Sequence, residues 1–217
     1  MILTKRDVRL FWWVNGWGAV TVEQVAAWMG GVGFSTAARR IRKLCEAGFL
    51  RRIQVAGLRE PAIALTDYGQ EVARDPLPPL PGVRLATWHH DKTMCSMEAR
   101  ILRRFPESVV IPERRLRTNR LMAGAPPKHL PDAEAHRAGV RPIAFELELT
   151  PKAPGRIQEI LTAYATSRDY ASVIYLVPDQ RMKRYVQRFA ADHDDLIKVH
   201  IVNMPSSVGG HGGAING

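Results

Sequence analysis

At 217 residues, 46% of them hydrophobic, the chain is long enough for one large domain or two small ones, each with its own core. Its 31 Lys and Arg outnumber its 21 Asp and Glu, and the net charge of +10 points to a polyanionic partner, because each phosphate neutralised by Lys or Arg releases condensed counterions. The apolar runs are short and broken by charge, which argues against a membrane span, and "MILTKRDVRLFWW" lacks the layout of a secretory signal, so a cytoplasmic protein is expected. Cys45 and Cys95 each fall in a helical pattern and read as buried thiols, which excludes a disulfide framework or a thiolate metal site.

Residues 4–14 predict a helix with Val8, Leu10, Phe11 and Trp12 on or near its apolar face. Thr21 is placed to cap a second helix, "VEQVAAWMG", and Ser35 a third, "TAARRIRKLCEAG", with Ala38, Ile41, Leu44 and Cys45 as its buried stripe. Two extended runs then flank a turn near Gly57, and a short helix begins near Thr66. On "RRIRKLCEAGFLRR" and "ALTDYG", residues 4–75 resemble the winged helix-turn-helix of bacterial DNA-binding proteins. The resemblance implies that the third helix enters the major groove and the wing touches the backbone. Thr36, Arg39, Arg40 and Lys43 would then face DNA, with Arg51, Arg52 and Arg59 flanking the wing.

Pro76, Pro78, Pro79 and Pro81 interrupt any regular element, so residues 76–87 read as a linker between a first domain at 1–75 and a second at 88–203. The second domain predicts a helix over "TWHHDKTMCSMEARILRRF" and a strand at "ESVVIPE". A basic excursion follows that carries Arg114, Arg115, Arg117, Arg120 and Lys128, a candidate flexible loop for gripping DNA. Strands over 131–136 and 142–150 form an expected hairpin about Ala138 and Gly139. A helix, a buried strand "ASVIYLVP", an amphipathic helix "DQRMKRYVQRFAAD" and a last strand "IKVHIVN" complete an α, β, β, β, α, β, α, β order, an α/β domain with a mixed sheet. Residues 204–217 are Gly-rich and read as a disordered tail.

The acids of "LPDAEAHRAGVRPIAFELELTPK" stand out in so basic a chain. Strand residues two apart share a face, so Ala144, Glu146 and Glu148 point one way while Phe145, Leu147 and Leu149 point into the core. Neighbouring carboxylates repel in a half-buried sheet unless a cation lies between them, and Mg²⁺ or Mn²⁺ suits such oxygen ligands. Asp132 comes within reach if its strand pairs with that of Glu146, and Lys152 follows just past the strand end.

Pro131, Asp132, Glu146 and the order of elements resemble the PD-(D/E)xK nuclease superfamily. Where that family has lysine two residues after the acid, this chain has Glu148, and Lys152 is the substitute. On "WHHDKTMCSMEARIL", "LPDAEA", "AFELELTPK" and "GRIQEILTAY", the chain resembles the replication-relaxation family of plasmids and integrative elements, in which a winged helix precedes a nuclease-like domain. The resemblance implies Asp132, Glu146 and Glu148 as metal ligands, Lys152 as the catalytic lysine, Glu98 as an accessory carboxylate, and either His89 or His90 as the family's histidine. It implies a metal-dependent DNA nickase or endonuclease of a mobile element, acting on double-stranded DNA and on single-stranded DNA at a nick. A second reading is a non-cleaving DNA-binding accessory protein or regulator, whose nuclease-like domain serves as a docking or dimerisation surface; a homodimer is an allowed partner.

Overall fold

The computed structural model describes residues 2–55, 57, 60–124 and 129–202. Helix α1 (Lys5–Trp17) starts where the Thr4 side chain accepts from the Asp7 amide while the Asp7 carboxylate accepts from the Thr4 amide, a reciprocal cap that satisfies two orphan donors. Thr21 and Gln24 repeat the device at α2 (Val22–Trp28). Helix α3 (Phe34–Glu46) differs from expectation: Gly33 stands at its N-cap with no side-chain bond, and Ser35 lies inside the first turn. The earlier start moves the buried stripe to Ala37, Ile41 and Leu44 and leaves Ala38 half-buried.

Strands β1 (Ala19–Val20), β2 (Leu50–Ile53) and β3 (Ala62–Leu65) form an antiparallel sheet in the order β1-β3-β2. Helix α4 (Asp67–Ala73) closes this unit. The Thr66 hydroxyl accepts from the Gly69 amide and lies 3.0 Å from the Phe49 carbonyl, drawing helix and strand together. A Cβ at Gly69 would stand 2.2 Å from that same carbonyl oxygen, so only glycine permits the approach. Phe11, Val14, Ile41, Leu44, Ile63 and Leu65 fill the core, each fully buried and worth about 1.5–3 kcal/mol of transfer free energy.

The second unit runs α5 (Leu85–Arg104), β4 (Val109–Pro112), α6 (Glu113–Met122), β5 (Ala133–His136), β6 (Ile143–Leu147), α7 (Pro154–Ser167), β7 (Ser172–Val177), α8 (Gln180–Ala190) and β8 (Ile197–Ile201). Its five strands lie in the order β4-β5-β6-β7-β8, antiparallel across β4, β5 and β6 and parallel across β6, β7 and β8. The fold is thus α/β with a mixed sheet. Met94, Met97 and Ile101 of α5 cover one face against Phe145, Leu147, Ile174 and Leu176. Helices α7 and α8 cover the other, packing on Ala144, Val173, Tyr175 and Val177.

The expected flexible loop after β4 begins instead as α6. Its sequence is poor in apolar residues and buries only Leu116, so hydrophobic periodicity gives no sign of it. Tertiary contacts hold it: Arg115 pairs with Asp75 at 2.8 Å and donates to the Trp12 carbonyl, and Arg114 donates to the carbonyl and side chain of Asn15. Burial raises the Asp75 carboxyl, but bonds from Arg115, the Leu77 amide and Asn15 outweigh it and hold the group below its usual range. Across the same junction Trp13 and Trp17 donate to Glu98, and Gln24 donates to Ser96 and the Lys92 carbonyl. Residues 76–84 form no helix or strand, yet the two units are locked together by these bonds. Among the described residues no helix is long and apolar enough to cross a membrane.

Candidate active site at the end of the mixed sheet

In parallel sheets the carboxyl ends of the strands open toward ligand, because the following turns diverge there. Strand β6 ends at Leu147 beside the end of β7, and the Glu148 amide extends the ladder by donating to the Leu176 carbonyl at 3.0 Å. Strand β5 runs the other way, so its start lies at this end. Ala133 pairs with Phe145, and one step further Asp132 stands opposite Glu146. Glu146 in turn pairs in register with Tyr175. The alternation expected from the sequence holds: Glu146 lies on the α7/α8 face and Phe145 and Leu147 on the α5 face.

Each acid has a basic partner. Asp132 accepts from the Leu147 amide at 2.7 Å and lies 3.2 Å from His90 Nε2. Glu146 is 2.6 Å from His129 Nε2 and accepts from the Tyr164 hydroxyl. Glu148 pairs with Lys152 Nζ. Burial pushes the Glu146 carboxyl up, against the pull of His129, and the charge of Asp132 adds to the rise. Burial also raises Glu148 despite Lys152. For His90 burial works downward, but its bonds to Asp132 and Asp91 prevail and push it up to about 10, so it is a cation at neutral pH. Of the two neighbouring histidines, His90 reaches the acids, while His89 is exposed and gives only its carbonyl to Thr93.

Tyr175 lies in the middle of this group, 1% exposed, and its hydroxyl has no hydrogen-bond partner among the described residues. Burial, followed by the charges of Glu146, Glu148 and Asp132, raises it strongly. A buried polar atom without a partner costs about 1–3 kcal/mol, so this hydroxyl has unused capacity for a bound group. The carboxylate oxygens suit Mg²⁺ or Mn²⁺ in kind. The side chains are nevertheless turned to His90, His129 and Lys152, and among the described residues no three His, Cys, Asp or Glu side chains are arranged to hold one ion. No family model, curated protein or solved structure matches the chain.

Several expected site residues lie elsewhere. Glu98 is not at the acid group; it serves the two tryptophan indoles, and burial raises it. Arg114 and Arg115 face inward at the junction. Arg117 pairs with Glu113, and Arg120 lies 3.7 Å from buried Glu134. On the first unit Thr36, Arg39 and Lys43 are exposed along α3, as is Arg52 on β2. Arg40 pairs with Asp7, and Arg51 donates to the carbonyls of Leu80 and Pro81, tying the strand to the linker. Arg59, Lys128 and residues 204–217 lie outside the described residues.

Sequence reasoning missed three members of the group. His129 sits in the basic excursion, three residues before Asp132, and nothing local links it to Glu146. Tyr164 has its hydroxyl on Glu146 rather than in solvent. Tyr175 reads as core, and only the β6/β7 register sets it opposite Glu146.

Proposed function

We propose that the chain is a DNA-binding protein of a mobile element, built from a winged helix-turn-helix and a PD-(D/E)xK-like domain that nicks or cleaves DNA with the help of a divalent metal. One observation carries this reading: Lys152 folds back onto Glu148 at the sheet end where Asp132 and Glu146 stand. Three acids and a lysine thus stand at one end of the sheet, with the lysine on Glu148, although their spacing in sequence departs from the family pattern. Asp132, Glu146 and Glu148 are the residues that would hold Mg²⁺ or Mn²⁺, and the ion would supply Lewis-acid assistance to attack on a phosphodiester. Lys152 would offset charge developing on the phosphate. His90, beside Asp132, lines a cleft of about 380 Å³ between the two units together with Arg84, Arg114 and Arg117 and with the acids Asp91 and Glu113, so the cleft that reaches Asp132 carries charges of both signs. The exposed Thr36, Arg39 and Lys43 of α3 support docking of that helix on duplex DNA.

A second reading, a DNA-binding accessory protein that no longer cleaves, is favoured by the pairing of Asp132, Glu146 and Glu148 with His90, His129 and Lys152, which gives each acid a side-chain partner without an ion. Incubation of supercoiled plasmid carrying the cognate region with Mg²⁺ or Mn²⁺ separates the two. Nicking by wild type that is lost in Asp132→Ala, Glu146→Ala and Lys152→Ala supports the enzyme. Absence of nicking, with DNA retention equal in all four proteins, gives the accessory role.

A further inference from the structure

Helix α8 carries Arg181, Lys183, Arg184 and Arg188 and no acidic residue. Arg181, Arg184 and Arg188 are spaced three and four apart, so they form one stripe along the helix. All three are exposed. Among the described residues none of them, nor Lys183, is paired with a carboxylate; the nearby Asp179 caps the helix by accepting from the Met182 amide, and Arg188 stacks on Phe189 with ring centroid 4.8 Å away. Three guanidinium groups along one helix face, with Asp179 of the same hollow engaged at the helix cap rather than in an ion pair, repel one another, an arrangement that a polyanion relieves.

The stripe is joined to the candidate site. The Tyr185 hydroxyl, on the same side of α8, donates to the Lys152 carbonyl at 2.5 Å. A hollow of about 690 Å³ extends from Arg181, Arg184 and Arg188 to Leu149 and Pro151, in the turn between Glu148 and Lys152. At about 1.5 Å per residue the stripe is about 10 Å long, and with the reach of extended arginine side chains it can meet about two or three successive phosphates of one strand. We infer that Arg181, Arg184 and Arg188 form a track for the DNA backbone, holding the strand that runs to the Glu146–Lys152 end of the sheet. The inference rests on the proposed DNA-binding role and assigns to α8 the grip that the sequence suggests for Arg114 and Arg115.

Binding of the full chain to a labelled duplex, followed by fluorescence anisotropy from 50 to 200 mM salt, tests it. At about 0.9 per phosphate, the triple variant Arg181→Ala/Arg184→Ala/Arg188→Ala should lower the slope of log K against log salt by about 2 to 3. A control that removes three exposed arginines elsewhere, Arg9→Ala/Arg103→Ala/Arg137→Ala, should change the slope by less than about 0.5 if contact rather than net charge matters. Circular dichroism melts matching wild type establish that the variants are folded. Wild-type slope and affinity in the α8 variant, or an equal loss in the control, overturns the track while leaving DNA binding by α3 intact. Failure of wild type to bind DNA defeats the proposed function and the track together, and binding lost only in Arg39→Ala/Lys43→Ala assigns the whole interface to α3.

Discussion

Helices α6 and α8 carry similar numbers of basic residues within the same unit, and the structure uses them in opposite ways. Arg114 and Arg115 of α6 turn inward, where Asp75, the Asn15 side chain and main-chain carbonyls of the first unit receive them. The arginine stripe of α8 faces solvent. Both helices satisfy the same composition rule, so charge count alone does not separate a solvent-facing stripe from a joint between the units. What separates them is the presence of a buried acceptor opposite: Asp75 has a fully buried side chain and needs a cation, whereas among the described residues no carboxylate forms an ion pair with the stripe of α8.

The sharpest way to break this comparison is Arg115→Ala. It leaves Asp75 buried with its charge unpaired, and urea unfolding should show a loss of about 3 kcal/mol; a change below about 0.5 kcal/mol would make α6 an ordinary surface helix. Glu98→Ala tests the other half of the junction by removing the acceptor of two indoles. The expected loss is about 2 kcal/mol, accompanied by a shift in tryptophan emission as Trp13 and Trp17 lose their bonds.

The pH dependence of stability should follow the inward-facing pairs. Asp75 and Asp7 are held below their usual range, Asp7 because bonds from Arg40 and Thr4 outweigh its burial. Groups with depressed folded values contribute stability that is complete above the unfolded value, near 3.8, and is lost as pH falls through the folded value. Urea midpoints measured from pH 6 to 2 should therefore fall on the acid side, and Asp75→Asn should flatten that fall; an unchanged profile would remove Asp75 from the account. The smallest effect belongs to α8. Single alanine substitutions of Arg181 or Arg184 should alter unfolding free energy by less than about 0.5 kcal/mol, since neither side chain has a hydrogen-bond or ion-pair partner among the described residues.

The legible parts of the fold share a local cause. Thr4 and Thr21 mark their helices because a hydroxyl can reach an amide three residues on, and the opposite facing of Glu146 and Phe145 follows from the two-residue repeat of any strand. Ser35 misled for a related reason: a capping residue near a helix start need not be the cap when the chain before it, here Gly33, already adopts the required backbone. Helix α6 was hidden because its stability comes from Arg115 and Arg114 meeting residues 40 and 99 positions away.

The sequence by itself determined the α/β order apart from α6, the mixed sheet that follows from a hairpin and two crossover helices, the shared face of the acids, and the basic character of the chain. Tertiary structure alone decided which charges meet. It brought His90 rather than His89 to Asp132, brought His129 and Tyr164 to Glu146, set the Tyr175 hydroxyl among the acids with no partner among the described residues, and divided the arginines between joint and surface. The reason is physical: backbone periodicity is written in neighbouring residues, whereas the cost of burying a charge is settled only by what the folded chain places opposite it.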